Sequence, residues 1–599
     1  MTSKSLTLVA TLALALAGQG AWTLEWTDTK KTQGTITSGD VVLNVEVFSA
    51  AERKLTVSAK TAWTAPTLDL RGDVSDGEEA WTIVMIKGWT SAQWKGIQTL
   101  CLPETMEIIG PYAFADITTL TKIDPMFPAA VTNIGAGAFR KGQIAGDLVI
   151  SNPNFVEIGP QTFSANESVG RLTSVDLSGT SIARIGDSAF FKQDVLTSVK
   201  LPAESTLETI GNQGLRCKNL ASLTPEEQPA LKSIGEAAFS QDTVLATGLI
   251  ATNCESLGKS AFYQCSALPS FVGPRVVNLG NQTFQQCTAL TNVELNAAAK
   301  IPNSCFYNCP GLVRLTPTCF TESQIEKGTF FNTSSLAVGL EFPSATNIPA
   351  AFHTGDDNTF QGSGISYIKA PNVRNVAKSA FYNCKKLGDV YLPSCTNLLD
   401  TVFQNCSALT NVVFSPDIAH IGMNVFWSDS NLTTFSPTTF KKLVDTGSGV
   451  FSSCTKLTGC FVFDSPAYRN MKTLTFNQCN SVTGIVFKAS AVTNISGQAL
   501  ANLAPGACVY FYHDCPTFTD ARVHSQKVSP PNRMRIYANG AKTSPAWAAA
   551  MEDNPTYFNS QKTAVDYPGE KTVGFIYKGD DRAWVIDWRP PSAFMVIVR

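Results

Sequence analysis

Apolar residues recur along this chain in a fixed phrase between about residue 105 and about residue 500. The phrase is an aliphatic residue, Gly, two variable residues, a small residue and Phe, as at 109–114, 234–239 and 279–284. Successive phenylalanines are separated by roughly 21 to 27 residues, with one longer step before Phe360, and such a period is typical of solenoid repeats. The chain is therefore predicted to be a repeat protein.

A second phrase follows each Phe and predicts a strand. It consists of three aliphatic residues at positions i, i+3 and i+5, as in Leu196, Val199 and Leu201. Val199 and Leu201 flank the polar Lys200, and this alternation favours a short strand with one buried face. The phrase that contains Phe packs apolar residues too closely for alternation, so we expect a tight turn with a short helical or 3₁₀ segment. One coil cannot bury its own Phe and Leu, so neighbouring coils must stack.

The Gly of the first phrase predicts a special backbone position at the turn. It permits either a positive φ or a close approach of two backbones. The small residue before Phe, mostly Ala, leaves room for the ring of the next coil. Gly is absent at Pro302, Glu326, Ala377 and Leu399, and the long step spans 353–360. Coils at these places are expected to bulge or to carry an inserted loop.

These elements, Ile-Gly, Ala-Phe, Cys, Leu and Leu-Pro, resemble the consensus of the BspA-like leucine-rich repeats. The resemblance covers roughly two thirds of the chain in some sixteen copies of the phrase. Together the phrases and the resemblance predict an α/β repeat solenoid, a right-handed leucine-rich-repeat array with short parallel strands. Proteins of that family are typically secreted or at the cell surface and associated with host or cell-to-cell contact, so the resemblance implies adhesion or ligand recognition.

Four segments are predicted along the chain. Lys4 and the apolar run 6–17 suggest a secretory signal peptide at 1–21, with an amphipathic or buried helix as the alternative. Alternating stretches such as 41–47 predict a β-rich N-terminal cap at 22–100. The repeats occupy 101–505 in about 16 to 17 coils. Strand patterns at 509–512, 535–537, 573–577 and 583–588 predict a C-terminal cap or small β-rich domain at 506–599.

Composition changes this interpretation little. A net charge of -2 and 44% hydrophobic residues describe a folded protein with no electrostatic bias toward nucleic acid or anionic membranes. After the first segment no stretch is long and apolar enough to span a bilayer. We therefore expect a secreted or cell-surface protein with no transmembrane segment in the mature chain.

The cysteines follow the repeat. Seven of the 16 stand three residues after the Phe of the phrase, namely Cys265, Cys287, Cys309, Cys384, Cys406, Cys454 and Cys479. Gln193, Asp242 and Thr333 take this position in other coils. A residue type that is set by repeat position predicts a packing role, here a ladder of buried thiols. Disulfides between neighbouring coils and metal ligands are the alternatives. Cys508 and Cys515 lie beyond the repeats and are better candidates for a disulfide.

Catalytic motifs are not apparent. Among the four histidines, His353 and His420 are scattered, and only His513, with Asp514 and His524, approaches a cluster. Its spacing matches no zinc or hydrolase signature, so surface histidines are expected. The acidic turn 356–358 lacks the further ligands of a calcium loop. No cofactor, no metal and no enzymatic activity are predicted, and an enzyme built around His513 is the least favoured hypothesis.

The outward positions of the strands are the candidate binding residues. Tyr367, Lys369, Asp389 and Tyr391 form the most suggestive patch, because aromatic anchors beside charges are common in interfaces. The predicted partner-binding set is completed by Arg314, Asn292 and Glu294, and Asp176, Ser198 and Lys200 share the outward position. An unconstrained surface would vary from coil to coil in the same way.

The function that these observations favour is recognition of an extracellular protein or glycan. A regular solenoid offers a long sheet surface, whereas catalysis needs polar groups that converge in a pocket. The alternative is a structural spacer or envelope-assembly protein that is anchored through its C-terminal domain.

Overall fold

The computed structural model describes residues 21–39, 41–60, 63, 65–89, 91–165, 170–297, 299–321, 325–348, 359–488, 492–505, 507–512, 517–518, 534–538, 573–576 and 583–587. The chain divides into two compact units, 1–299 and 300–599. Both are built from strands and turns, and the only helical element of the described residues is the 3₁₀ helix Ser91–Gln93. The solenoid of short parallel strands is confirmed, whereas the α/β class and the helical segment in each coil are wrong.

Backbone hydrogen bonding in the turns explains why no helix forms. Ala138 donates to the carbonyl oxygen of Gly135 in its own turn at 3.1 Å, whereas the next residue, Phe139, donates to Thr162 of the following coil at 3.0 Å. The alternation continues through residue 142. Every second N–H group donates to the neighbouring coil. The uninterrupted hydrogen bonds of a helix therefore cannot form. These inter-coil bonds join the turns as well as the strands.

Close approach, and not a positive φ, accounts for the Gly of the repeat phrase. A Cβ atom on Gly135 would lie 2.5 Å from the backbone nitrogen of Pro111 in the preceding coil. The positive φ angles fall elsewhere in the turn, at Gly137 (61°) and Lys141 (61°). The corresponding residues of other coils are often Gln, Ser or Asn, which the surrounding turn holds in the left-handed region.

Two rows of strands run through the first unit. The face strands carry the alternating phrase and are Thr67–Asp69, Thr99–Cys101, Lys122–Asp124, Ala145–Val149, Arg171–Asp176, Ser198–Lys200, Ser222–Thr224, Leu249–Ile250, Ser270–Gly273 and Asn292–Leu295. The Ile-Gly strands end at the aliphatic residue before the Gly and are Ile108–Ile109, Asn133–Ile134, Glu157–Ile158, Arg184–Ile185, Thr209–Ile210, Ser233–Ile234, Ser256–Leu257 and Asn278–Leu279. Neighbouring strands within each sheet of these rows are parallel.

The N-terminal region forms a closed ring of six strands. They are Trp22–Trp26, Gln33–Ser38, Val41–Ser49, Lys54–Ala59, Val74–Ser75 and Ala80–Ile86. Each strand pairs with two others of the ring. Strand Ala80–Ile86 also pairs in parallel with Ile108–Ile109, so it joins the ring to the row of Ile-Gly strands. That this ring acts as the cap of the solenoid stays a prediction.

The second unit repeats both rows. Its face strands are Arg314–Thr316, Leu340–Glu341, Tyr367–Lys369, Asp389–Leu392, Asn411–Phe414, Thr434–Ser436, Thr439–Phe440, Gly459–Phe463, Val482–Phe487, Cys508–Phe511, Met534–Ala538, Val573–Ile576 and Ala583–Asp587. Its Ile-Gly strands are Asn347–Ile348, Asn375–Val376, Asn397–Leu398, His420–Ile421, Asp445–Thr446, Asn470–Met471, Asn494–Ile495 and Thr517–Phe518. Met534–Ala538 and Ala583–Asp587 extend the parallel sheet, and Val573–Ile576 adds the antiparallel last strand. The predicted division into domains stays a prediction.

The core lies between the two rows and is filled by a column of phenylalanine rings. Phe381 and Phe403 stack with centroids 5.3 Å apart and planes 1° from parallel, and Phe426 follows at 5.5 Å. All three rings are fully buried. The small residue before each Phe is buried as well, like Ala380. Apolar burial that continues from coil to coil supplies the stability that a single coil lacks.

At Leu399 and Ala377 the coils keep the regular backbone without the Gly, contrary to expectation, whereas at Pro302 and Glu326 the row of Ile-Gly strands is reduced to an isolated bridge between Ile301 and Ile325. Gly422 donates to the carbonyl oxygen of Leu398 at 2.8 Å, and Leu399 and Ala377 make the equivalent bonds to the preceding coil at 3.2 and 3.0 Å. The backbone does not bulge because the Leu399 side chain points outward, where it is 38% exposed. The predicted inserted loop at 353–360 lies mostly outside the described residues.

Candidate binding surfaces

The cysteine ladder has a common hydrogen-bond geometry. The Cys406 thiol donates to the carbonyl oxygen of Phe381 in the preceding coil at 3.1 Å, and Cys454 donates in the same way to Phe426 at 3.0 Å. Cys265, Cys384 and Cys479 do so at 2.9 to 3.0 Å. All five of these thiols are buried and not disulfide-bonded. This geometry supports the prediction of a packing role, and Cys515 of the suggested C-terminal disulfide lies outside the described residues.

Gln193 supplies both a donor and an acceptor at this position. Its Nε2 donates to the carbonyl oxygen of Phe163 at 2.6 Å, and its Oε1 accepts from the backbone N–H of Leu172 at 3.2 Å. At Cys406 burial raises the pKa of the thiol, against the smaller effect of the backbone N–H of Cys384, which lowers it. A thiol or an amide can fill both roles.

Asp242 and Asp429 occupy the same position and are fully buried. The Oδ1 atom of Asp429 accepts from the backbone N–H of Cys406 at 2.7 Å, and its Oδ2 atom has no hydrogen-bond partner. Burial raises the pKa of both carboxyl groups well above the usual range. Only the protonated acid can donate, so the hydrogen-bond pattern of the ladder and the raised pKa favour the same neutral form.

The predicted tyrosine patch is brought together on one surface. Strands Tyr367–Lys369 and Asp389–Leu392 are parallel neighbours in which Tyr367 lies opposite Asp389 and Lys369 opposite Tyr391. All four side chains are exposed, with Tyr367 at 39% and Tyr391 at 44%. The two tyrosines are therefore diagonal neighbours, and a charged side chain lies beside each ring.

Glu341 belongs to this patch and was missed by sequence reasoning. It lies on the preceding face strand, where Tyr367 Oη donates to its Oε1 at 3.5 Å and Lys369 Nζ lies 3.9 Å away. We call Glu341, Tyr367, Lys369, Asp389 and Tyr391 the tyrosine patch. The alternation of Leu340 and Glu341 is the sequence signal that could have identified it, because Glu341 takes the same outward position as Lys369.

The other predicted partner-binding residues lie on other face strands. Asn292 and Glu294 are half-buried on strand Asn292–Leu295 of the first unit, with their side chains on the outward side. Arg314 is exposed at the start of strand Arg314–Thr316 in the second unit. Their roles stay predictions.

A shallow groove on the Ile-Gly strands is a second surface that the sequence did not indicate. It encloses about 550 Å³ and is lined by residues that include His420, Met423, Asp445 and Gly447. His420 Nδ1 and Asp445 Oδ1 are 2.6 Å apart. The groove follows the column of Gly422 and Gly447, where no side chain projects, and the outward Leu399 borders it. The replacement of Gly by Leu399 in the repeat phrase is the sequence feature that could have indicated this groove.

The described part of the chain contains no candidate metal-binding cluster. No group of three or more His, Cys, Asp or Glu side chains there is placed to hold a metal ion. His420 is exposed beside Asp445, as a surface histidine would be. His353, His513, Asp514, His524 and the acidic turn 356–358 lie outside the described residues. None of the helices in the described residues is long and apolar enough to cross a membrane.

Solved structures of bacterial leucine-rich repeat proteins are similar to this chain at low identity. A leucine-rich repeat protein from Bacteroides ovatus is 18% identical over 80% of this chain and 97% of its own, with a TM-score of 0.32. A leucine-rich cell surface protein from Faecalibacterium prausnitzii is 17% identical over 75% and 94%, with a TM-score of 0.25. The pneumococcal vaccine antigen PcpA is 12% identical over 86% and 96%, with a TM-score of 0.22. No curated protein sequence matches the chain.

The family follows from the repeat sequence itself. The sequence profile of the BspA type leucine rich repeat region matches residues 92–213, 166–291, 208–337, 353–483 and 430–518, which together exceed half of the chain. These matches cover the coils whose Phe column, thiol ladder and paired rows of strands are described above. The profiles carry no indication of an enzyme family. This chain belongs to the BspA-type leucine-rich repeat family.

Proposed function

We propose that this protein is an extracellular or cell-surface recognition protein that binds a protein or glycan partner through the tyrosine patch and catalyses no reaction. The observation that carries the proposal is the exposure of two tyrosine side chains among charged groups on adjacent face strands. Tyrosine supplies a large apolar contact area together with a hydroxyl group, and it is enriched among the residues that dominate binding energy.

Packing does not account for the outward side chains of the patch. The buried column of the same strands is uniformly aliphatic, with Ile368 and Val390 both at 1% exposure. The outward column changes from Glu341 to Lys369 to Tyr391 along three strands. Outward side chains that the neighbouring coil does not bury are available for a partner, and the regular strands hold their Cα atoms in fixed positions.

The test is binding of the full chain to a panel of extracellular-matrix proteins and glycans. A variant with alanine at Tyr367, Lys369, Asp389 and Tyr391 is compared with the wild type. A matched control carries alanine at Asp176, Ser198 and Lys200, which take the outward position on two face strands of the first unit. Loss of binding in the first variant alone supports the proposal. Binding that survives in the first variant, or no binding by the wild type, contradicts it.

A further inference from the structure

Tyr367 lies across a glycine on the neighbouring strand. Gly339 occupies the outward position directly before Leu340, and Leu340 pairs with Ile368, which directly follows Tyr367. A Cβ atom on Gly339 would collide with the Cε1, Cζ and Cδ1 atoms of the Tyr367 ring. The ring therefore occupies the space that a side chain at residue 339 would fill. The ring covers this glycine on the adjacent strand and is still 39% exposed, so part of its surface is open to solvent.

The surroundings of the two rings are polar. The outward residues on the two strands that follow are Asn411, Val413, Thr434 and Ser436, of which Val413 is the one apolar side chain and is half-buried. A stable protein–protein interface needs an apolar centre that a polar rim protects from water. The tyrosine patch has two separate rings and no such centre.

We propose that the tyrosine patch binds a neutral oligosaccharide whose sugar rings stack on Tyr367 and Tyr391. This inference rests on the proposed function and names the partner class of the same site. The C–H bonds on the flat side of a pyranose carry partial positive charge and pack against the electron-rich face of an aromatic ring. Sugar hydroxyl groups both donate and accept hydrogen bonds, and the carboxylates of Glu341 and Asp389 and the ammonium group of Lys369 supply both kinds of partner.

The spacing of the rings suits a chain of sugars. Adjacent strands are separated by about 4.8 Å and residues rise by about 3.3 Å along a strand, so diagonal neighbours on the outward side are about 8 Å apart. One short oligosaccharide can therefore contact Tyr367 and Tyr391 together. The patch contains two carboxylates and one ammonium group, so an anionic sugar is disfavoured on electrostatic grounds.

Binding of the full chain to immobilised neutral oligosaccharides, including glucans, mannans and N-acetylglucosamine oligomers, tests the proposal. Sulfated and sialylated glycans on the same surface serve as charge controls. We expect binding to neutral members and an affinity loss of about tenfold or more when Tyr367 and Tyr391 are both changed to alanine. Tyr367→Phe keeps the stacking ring and should retain most of the affinity.

Gly339→Ala provides a sharper variant because it removes no binding group. Gly339 does not have a positive φ, so alanine is allowed by the backbone, and its Cβ atom must displace the Tyr367 ring. The matched control is Gly388→Ala on the coil after that of Tyr367, where the added Cβ atom would meet only ordinary contacts at 3.6 and 3.9 Å. We expect weaker glycan binding in the first variant and unchanged binding in the second, with unchanged thermal unfolding in both.

The outcomes separate this inference from the proposed function. Absence of binding to every neutral oligosaccharide overturns the glycan inference, and a matrix protein that binds through the two tyrosines would then leave the proposed function standing. Preference for anionic glycans also overturns it. Neutral-glycan binding that is insensitive to both the tyrosine and the Gly339→Ala variants places the binding site elsewhere and contradicts both proposals.

Discussion

Replacing the buried Asp429 by asparagine should stabilise the protein at neutral pH. In the ladder, a thiol or amide at this position donates to the Phe carbonyl oxygen of the preceding coil and accepts a backbone N–H. Asp429 fulfils the second role through its Oδ1 atom, whereas its Oδ2 atom has no partner. The amide introduced by D429N would have the shape of the protonated acid and would keep a donor at every pH.

The magnitude follows from proton linkage. Between the unfolded and the folded pKa, each pH unit costs the wild type about 1.4 kcal/mol, because the buried carboxyl group must hold its proton in the folded state. D429N avoids this cost, so its free energy of unfolding should exceed that of the wild type by at least about 1 kcal/mol at pH 7.5. The melting temperature should then rise by about 1.5 °C for each kcal/mol, because the unit that contains Asp429 spans 300–599 and the unfolding entropy is about 2.1 cal/mol/K per residue.

The direction in which stability changes with pH tests whether the buried carboxyl group is the cause. Burial raises the pKa of Asp429 in the folded chain, whereas the unfolded carboxyl titrates near its usual value of about 3.9. The folded state therefore binds more protons between these two pKa values, and stability falls as the pH rises through this range. The advantage of D429N should be small near pH 4 and should grow toward pH 8.

Thermal unfolding followed by circular dichroism between pH 4 and pH 8 measures this effect. Asp417→Asn is the control, because Asp417 is half exposed and pairs with Lys442 at 2.9 Å on the surface. An exposed pair of this kind contributes about 0 to 1 kcal/mol. The explanation is refuted if D429N is no more stable than the wild type at pH 8, or if its advantage does not shrink toward pH 4.

Three further outcomes are expected. Phe403→Ala should lower the free energy of unfolding by about 3 to 5 kcal/mol in chemical denaturation, because the ring is fully buried in the phenylalanine column. Native protein should react with a thiol reagent at the exposed Cys319 and much more slowly at Cys384, whose pKa burial raises to about 12, and denaturation should abolish this difference. Gly235→Ala should cost about 1 to 3 kcal/mol because the added Cβ atom would lie 2.5 Å from the backbone nitrogen of Asn212, whereas Gly388→Ala should leave the unfolding transition unchanged.

Sequence reasoning predicted the coil and its buried columns but not the conformation of the turn. The period of Phe and the alternation around residues such as Val199 determine which side chains are buried. The turn remained ambiguous because closely spaced apolar residues fit a helix and a tight turn equally well. The structure resolves this through bonds that no local pattern reveals, since Phe139 donates to Thr162 in the next coil.

The candidate site was predictable only in part for a similar reason. Outward positions follow from the strand alternation, which identified Tyr367 and Tyr391. The position of a ring on the sheet depends on the strand before it, about 28 residues earlier, near the upper end of the repeat lengths. Gly339 and Glu341 therefore became relevant only when the parallel register placed them beside Tyr367.

The stacking of coils limits where a binding function can be encoded. Residues at most repeat positions contact the adjacent coil. The Phe rings stack, the Gly residues allow close approach of the backbones, and the thiols donate to a carbonyl oxygen. A change there alters stability first. The outward residues of the face strands are not needed for the stacking of coils, so a residue there can change without disturbing the coil. Gly339 followed by Tyr367 is a coordinated departure at these positions, and the architecture does not require it. A pair of residues that the stacking of coils does not require, and that leaves an aromatic ring partly exposed to solvent, is where selection for a ligand would act.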